Sequence, residues 1–295
     1  MKKVLITGGD GFIGRYLCQE CEAQNVEYLV VSASVKQNTA QAQKVDLMSY
    51  QALKDTLQSF MPDAIIHLAA IASPVHNDIA EIYRINVGGT ENLLNAASEV
   101  LPVGSRMVLT STAGVYGNQN VERLHEGLPF NPANHYSCSK MVTEVLSRQY
   151  MDKLDIHIVR PFNIIGCGQS ESFFVPKLVK HFLNRSAEIQ LGNLDAVRDY
   201  VSVEFCAKVM LNLAVNLKTA PSIVNVCTGT GHSCKQIIEL LEQLTDYHPK
   251  IVSTTEFTRS NEVWRMVGDT TELQKVVKNC CKSEPVEKIL GKMLD

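Results

Sequence analysis

Short runs of β-branched and aliphatic residues recur along this chain, spaced so that a helix fits between most neighbouring pairs. KVLIT at 3–7, EYLVVS at 27–32, DAIIHLA at 63–69, RMVLTST at 106–112, IHIVRPF at 156–162 and SIVNVCT at 222–228 read as strands. Between them, stretches at 12–24, 49–60, 79–100 and 136–152 carry the amphipathic period of helices. Strands that are apolar throughout are covered on both faces, and strands joined through helices run parallel. The expected fold is α/β, a doubly wound parallel sheet. After Phe162 the alternation weakens. Residues 1–165 are therefore expected to form a dinucleotide-binding domain and 166–295 mainly a smaller substrate lobe, interleaved because the strand near 223–227 returns to the sheet.

Bulk properties narrow the function classes. The chain has 295 residues, 45% hydrophobic and 20% charged, with a formal net charge of −3. No basic block suggests nucleic acid, and no apolar run is long enough to cross a bilayer. The apolar stretch of the amino terminus is too short for a secretory signal and runs straight into glycines. Nine cysteines lie scattered without zinc spacing, as expected of reduced packing residues in a cytoplasmic protein, and no metal site is expected.

The first strand ends in TGGDGFIG, with Gly8, Gly11 and Gly14 at GxxGxxG spacing and a helix opening near Phe12. Glycines there let a diphosphate approach the backbone at the positive end of a helix, so a dinucleotide is the expected ligand. The second strand closes on Ser32, Ala33 and Ser34, where an NAD-preferring fold usually places an acid for the ribose. With Arg15 and Lys36 nearby, and no carboxylate evident at the strand end, the reading favours NADPH, with NADH possible. Asp46, closing the next strand in VDL, suits either the adenine amino group or a helix cap.

Tyr136 and Lys140 in YSCSK share one face of one helix. A nearby ammonium favours a phenolate, which is expected to bring the tyrosine toward working range as an acid or base. Thr112, in TSTAGVYG, stands at the end of a strand where its hydroxyl can hold a substrate oxygen. These three are the candidate catalytic residues.

The ordered series TGGDGFIG, HLAA, NVGGTENLL, STAGVYG, YSCSK, RPFN and RDYV resembles the extended short-chain dehydrogenase/reductases, which include nucleotide-sugar epimerases, dehydratases and reductases. The resemblance spans almost the whole chain and implies a Rossmann-type fold. It also implies that Gly8, Gly11, Phe12, Ile13, Gly14, Arg15, Ser32, Asp46, Leu47, Leu68, Ala69, Ala70, Asn86, Tyr136 and Lys140 line the cofactor. Ser73, Thr112, Asn163, Arg198 and Arg265 are implied on the substrate side, the two arginines at a sugar-nucleotide diphosphate. His67 is read as a packing residue whose backbone matters more than its ring. Family members commonly pair two helices across a two-fold axis, so a homodimer is expected through 79–100 and 136–152. Ile82, Ile85, Leu93, Leu94, Met141, Val142, Val145 and Leu146 put apolar groups on more than one face of those helices.

Dehydratases of this family resemble one another in carrying Asp and Glu after the threonine, and the GDP-fucose-forming epimerase-reductases in carrying cysteine first. Here those places hold Ala113 and Gly114, which move no proton. Hydride transfer at a sugar carbonyl remains. The carboxyl-terminal half is most similar to GDP-4-keto-6-deoxy-mannose reductases, although Cys167 and Trp264 replace prolines and the tail lacks a Gly-Trp. The expected activity is NADPH-dependent reduction of a nucleotide-linked 4-keto-6-deoxyhexose. A 4-epimerase using bound NAD, or a non-catalytic NADP-sensing module, stands as the alternative.

Overall fold

All six apolar runs form strands of one parallel sheet, in a computed structural model that describes residues 2–72, 76–217, 219–253, 263–277 and 282–295. Its strands are β1 (Lys3–Thr7), β2 (Glu27–Ser32), β3 (Ala42–Lys44), β4 (Ala64–His67), β5 (Ser105–Thr110), β6 (Leu154–Pro161) and β10 (Ile223–Val226). They lie in the order β10-β6-β5-β4-β1-β2-β3, every pair parallel. The order reverses between β1 and β4, and in such sheets ligands bind outside the carboxyl ends of the strands at that switch point. This is the Rossmann-type fold.

Alternate residues of each strand serve opposite layers. Val4 and Ile6 of β1 pack with α1 (Phe12–Ala23) and α7 (Val203–Leu211), whereas Leu5 joins the cluster under α2 (Tyr50–Phe60) and α4 (Gly89–Val100). All three are at most 1% exposed, and burying such a side chain contributes about 1.5–3 kcal/mol.

The stretch 79–100 is not one uniform helix. It begins as α3 (Ile79–Tyr83), widens into a π-turn over Arg84–Gly88 and resumes as α4. Gly89 allows the close approach, since a Cβ there would stand 2.9 Å from Leu47 Cβ. Widened turns of this kind frequently mark functional positions. Of the eight apolar residues read as lying on more than one helix face, Leu93 and Leu94 are fully buried and Ile82 nearly so, while Val145 is exposed. The helix with the candidate dyad is α5 (His135–Ser147), capped by Asn134, whose Oδ1 accepts the Ser137 N–H at 2.9 Å.

Beyond β6 the chain adds β7 (Asn163–Ile165), β8 (Glu188–Leu191), β9 (Val197–Ser202), β11 (Gly231–Ser233), β12 (Lys250–Ser253) and β13 (Arg265–Met266) in small sheets. A separate cluster, including Val175, Leu178, Phe182, Tyr200, Ile237 and Leu241, fills the space among α6 (Phe174–Leu183), α8 (Cys234–Thr245) and α10 (Val286–Leu294). Asp199 ties these pieces to the main sheet. It is fully buried and accepts N–H bonds from Thr228, Gly229 and Gly268 and the Thr228 hydroxyl, between 2.6 and 3.3 Å. Among the described residues no helix is long and apolar enough to cross a membrane, and no group of three His, Cys, Asp or Glu side chains is arranged to hold a metal.

Candidate active site

The glycine turn leaves β1 at Thr7 and reaches α1 through Gly8 at φ 68°, a conformation that disfavours side chains. A Cβ on Gly8 would come within 2.8 Å of Ala69 Cα, and one on Gly14 would overlap Gly9. The backbone is thus packed from behind by β4's extension and bare in front. Gly11 caps α1 with no side chain, and the first turn holds no acidic residue. An uncapped helix start with partial positive charge suits a diphosphate, so these residues fit a dinucleotide. Phe12 and Ile13 are half-buried at the same helix start, and Leu47 is buried under Gly89.

The chain after β4 is held by that turn. Leu68 donates its N–H to Thr7 O at 3.1 Å and Ala69 to Thr7 Oγ1 at 3.2 Å, leaving Leu68, Ala69 and Ala70 half-buried at the switch point. The His67 ring does more than expected. It is fully buried, with Nδ1 2.6 Å from Thr7 Oγ1 and Nε2 2.9 Å from Thr90 Oγ1, and burial lowers it to about 3, so it is a neutral strut. Asn86 is fully enclosed, which corrects its expected place along the cofactor. Its amide takes the Ile71 N–H at 2.7 Å and donates to Ile71 O and Ser139 Oγ at 3.1 and 3.0 Å. Ser139 Oγ in turn donates to Tyr136 O at 2.7 Å. The π-turn therefore clamps the β4 extension to the helix of the candidate tyrosine.

Two residues past β5, Thr112 caps the short turn at 113–116, its Oγ1 accepting the Gly114 N–H at 3.0 Å. With that lone pair engaged, its proton is available to an oxygen. Lys140 is 2% exposed and sends its ammonium to Thr110 O, 2.8 Å away. Burial lowers Lys140 to about 8 against the raising influence of Glu144, and burial pushes Tyr136 up to about 12. The expectation that lysine draws tyrosine toward neutrality is corrected: a buried ammonium takes the strand-end carbonyl, and nothing offsets the tyrosine's burial.

Several supporting residues escaped the sequence reading. Behind Lys140, Glu144 pairs with Arg160 through contacts of 2.6 and 3.0 Å, with both side chains almost wholly buried. Ser111 donates to the same carboxylate, and Arg160 also donates to Tyr116 OH at 2.8 Å. The signal was present: Glu144 continues the four-residue step from Tyr136 through Lys140. Asp10 was also missed, although it lies inside the glycine motif. Its carboxylate accepts a hydrogen bond from Ser34 Oγ, which lies 2.8 Å from Ser32 Oγ. The expectation that no carboxylate stands at the β2 end is thereby corrected. Arg15 donates to Gly168 O at 3.0 Å. Asp46 lies past the end of β3 rather than closing it, and its Oδ1 accepts the Met48 N–H at 2.9 Å in a turn ahead of α2.

On the substrate side, Asn163 pairs with Tyr200 across β7 and β9. Arg198 precedes Tyr200 on β9, and the register pairs Arg265 of β13 with Val197 and Met266 with Arg198, so Arg198 and Arg265 occupy opposite faces of this small sheet. Arg198 donates to Val197 O at 2.9 Å and Arg265 to Glu122 O at 3.2 Å. Ser73 and the pair Cys280 and Cys281 lie outside the described residues.

The model for the NAD dependent epimerase/dehydratase family matches residues 4–227. The chain belongs to this family. It is an NAD(P)-dependent enzyme of the extended short-chain dehydrogenase/reductase type. It is 36% identical over 291 residues to a GDP-6-deoxy-D-talose 4-dehydrogenase of Aggregatibacter actinomycetemcomitans, covering 99% of this chain and 96% of that one. It is 27% identical over 283 residues to a GDP-6-deoxy-D-mannose reductase of Pseudomonas aeruginosa, covering 92% and 90%. The solved structure of RMD from Pseudomonas aeruginosa complexed with NADPH superimposes with a TM-score of 0.85 at 27% identity, covering 100% of this chain and 98% of that one.

Proposed function

We propose that the protein reduces a nucleotide-linked 4-keto-6-deoxyhexose, GDP-4-keto-6-deoxy-mannose in the first instance, at C4. The observation that carries this reading is the closure of positions 113 and 114 to further acids or bases beside an intact Thr112, Tyr136 and Lys140. Ala113 is fully buried among Val115, Tyr116 and Phe162, and any side chain at 114 would run into Ser137. A ring proton at C3 or C5, or water at C5 and C6, meets no acid or base at these two positions. Two relatives support the sugar: their names place redox chemistry on GDP-6-deoxyhexoses. Talose and mannose are C4 epimers, so both correspond to the same 4-keto compound.

A nicotinamide dinucleotide, when bound, supplies the hydride chemistry. Gly8, Gly11 and Gly14 with the start of α1 would hold its diphosphate, and Leu68 to Ala70 would line the same site. Thr112 hydrogen-bonds the sugar carbonyl oxygen through its hydroxyl, keeping its proton, and Tyr136 gives that oxygen its phenolic proton. A phenol held near 12 keeps its proton until an alkoxide develops, which suits reduction and makes it a weak base at neutral pH. Lys140 holds its ammonium on Thr110 O, at the strand end that leads into Thr112.

Arg198 and Arg265 take the sugar-nucleotide diphosphate, Asn163 contacts the sugar, and residues 166–295 form most of that lobe. The NADPH preference loses its ground with Asp10 at the β2 end and Arg15 turned to Gly168. Two copies pair through the surface of α3 and α5 where Ile79 and Val145 are exposed. The test is a panel of 4-keto-6-deoxy sugar nucleotides screened for net oxidation of reduced cofactor; oxidation with none of them would overturn the reading.

A further inference from the structure

The end of β2 carries three linked polar side chains. Asp10 Oδ2 accepts from Ser34 Oγ, Ser34 Oγ lies 2.8 Å from Ser32 Oγ, and the Ser34 N–H donates to Ser32 Oγ at 3.2 Å. Asp10 and Ser34 are exposed and Ser32 is half-buried. In a doubly wound sheet the cofactor diphosphate rests on the glycine turn and the adenosine ribose reaches the end of the second strand, where an acid takes the 2′-hydroxyl. This chain has Ser32 at that place. Its carboxylate comes instead from the glycine turn and is steered to the strand end by Ser34.

We propose that Asp10 reads the ribose 2′ position and makes the protein select NAD(H) over NADP(H). A carboxylate accepts a hydrogen bond from a 2′-hydroxyl, a charge-assisted contact. A 2′-phosphate carries between one and two negative charges at neutral pH and brings them against the same carboxylate. The cation best placed by sequence to compensate, Arg15, is engaged with Gly168 O. Lys36 lies two residues beyond Ser34 and is exposed, where a lone ammonium is screened by water and salt.

This rests only on the protein binding a nicotinamide dinucleotide, so the test omits the sugar. Isothermal titration of the full chain with NADH and with NADPH gives the discrimination directly. Wild type should bind NADH about tenfold or more tightly than NADPH, the scale of one hydrogen bond to a charged group. Asp10→Ala should weaken NADH and strengthen NADPH, bringing the ratio near one. Ser34→Ala, which frees the carboxylate without removing it, should lower the ratio in part. A wild type that binds NADPH as tightly as NADH, or an Asp10→Ala variant that moves both equally, overturns the assignment. A protein that selects NADH but reduces no sugar would leave this inference standing and refute the reductase reading.

Discussion

Gly114 and Ser137 are packed so closely that a Cβ on the glycine would overlap the serine Oγ. The contact joins the strand-end turn after Thr112 to the first turn of α5, one residue from Tyr136. Gly114→Ala should therefore push the two candidate groups apart. Displacements on the scale of 1 Å cost up to about 10²-fold in turnover. Ser137 Cβ lies 3.3 Å from the same point, so Ser137→Ala in the Gly114→Ala background should recover most of the loss. Steady-state kinetics of both variants check this; a fully active single variant would contradict it.

Tyr136→Phe keeps the ring and removes the proton. Turnover should fall by about 10²-fold or more while cofactor affinity stays nearly unchanged. Single-turnover rates together with cofactor titration separate the two effects.

The pH dependence follows from Lys140. Its value near 8 lies below the usual 10.5, so the ammonium held on Thr110 O is lost as pH rises through 8, and reduction should slow along an alkaline limb there. Glu144 opposes the shift, and His67, neutral above about 3, does not titrate in this window. Stability moves the other way. Between about 8 and 10.5 the unfolded chain binds more protons at this group, so its contribution to stability rises with pH. Paired pH profiles of turnover and of unfolding would show opposite slopes at this group.

Glu144→Gln strands the buried Arg160 guanidinium. Removing one partner of a buried pair costs about 3–5 kcal/mol, whereas replacing both by apolar groups is often nearly neutral. Urea unfolding should show a large loss for Glu144→Gln and a smaller one for the double variant Glu144→Leu with Arg160→Met.

The fold was legible in the sequence because it follows from periodicity, which is local. KVLIT became β1 unchanged, and SIVNVCT returned to the sheet as β10 beside β6. Tyr136 and Lys140 share one helix, as their spacing led us to expect, and Thr112 lies just past β5; their catalytic roles are what the variants above test. What the sequence hid was the direction of side chains across distant segments. Asn86 read as facing the cofactor, yet its amide binds Ile71 and Ser139. Asp10 was visible in its motif, but its meeting with Ser34 depends on how the glycine turn lies against β2. The helix over 79–100 was legible in extent but not in its π-turn, which contains Asn86.

The proposed reduction delivers hydride to C4 without proton exchange on the ring. In that proposal Thr112, Tyr136 and Lys140 serve the first, and positions 113 and 114 offer no group for the second. The measurement is product analysis by NMR after incubation with GDP-4-keto-6-deoxy-mannose and reduced cofactor. With deuterated cofactor the label should appear at C4 only, with one cofactor oxidised per sugar. In deuterated water with unlabelled cofactor, C3 and C5 should gain no deuterium beyond the sugar's spontaneous exchange. Enzyme-catalysed deuterium at C5, or interconversion of two hydroxyl sugars without net cofactor loss, would contradict the account.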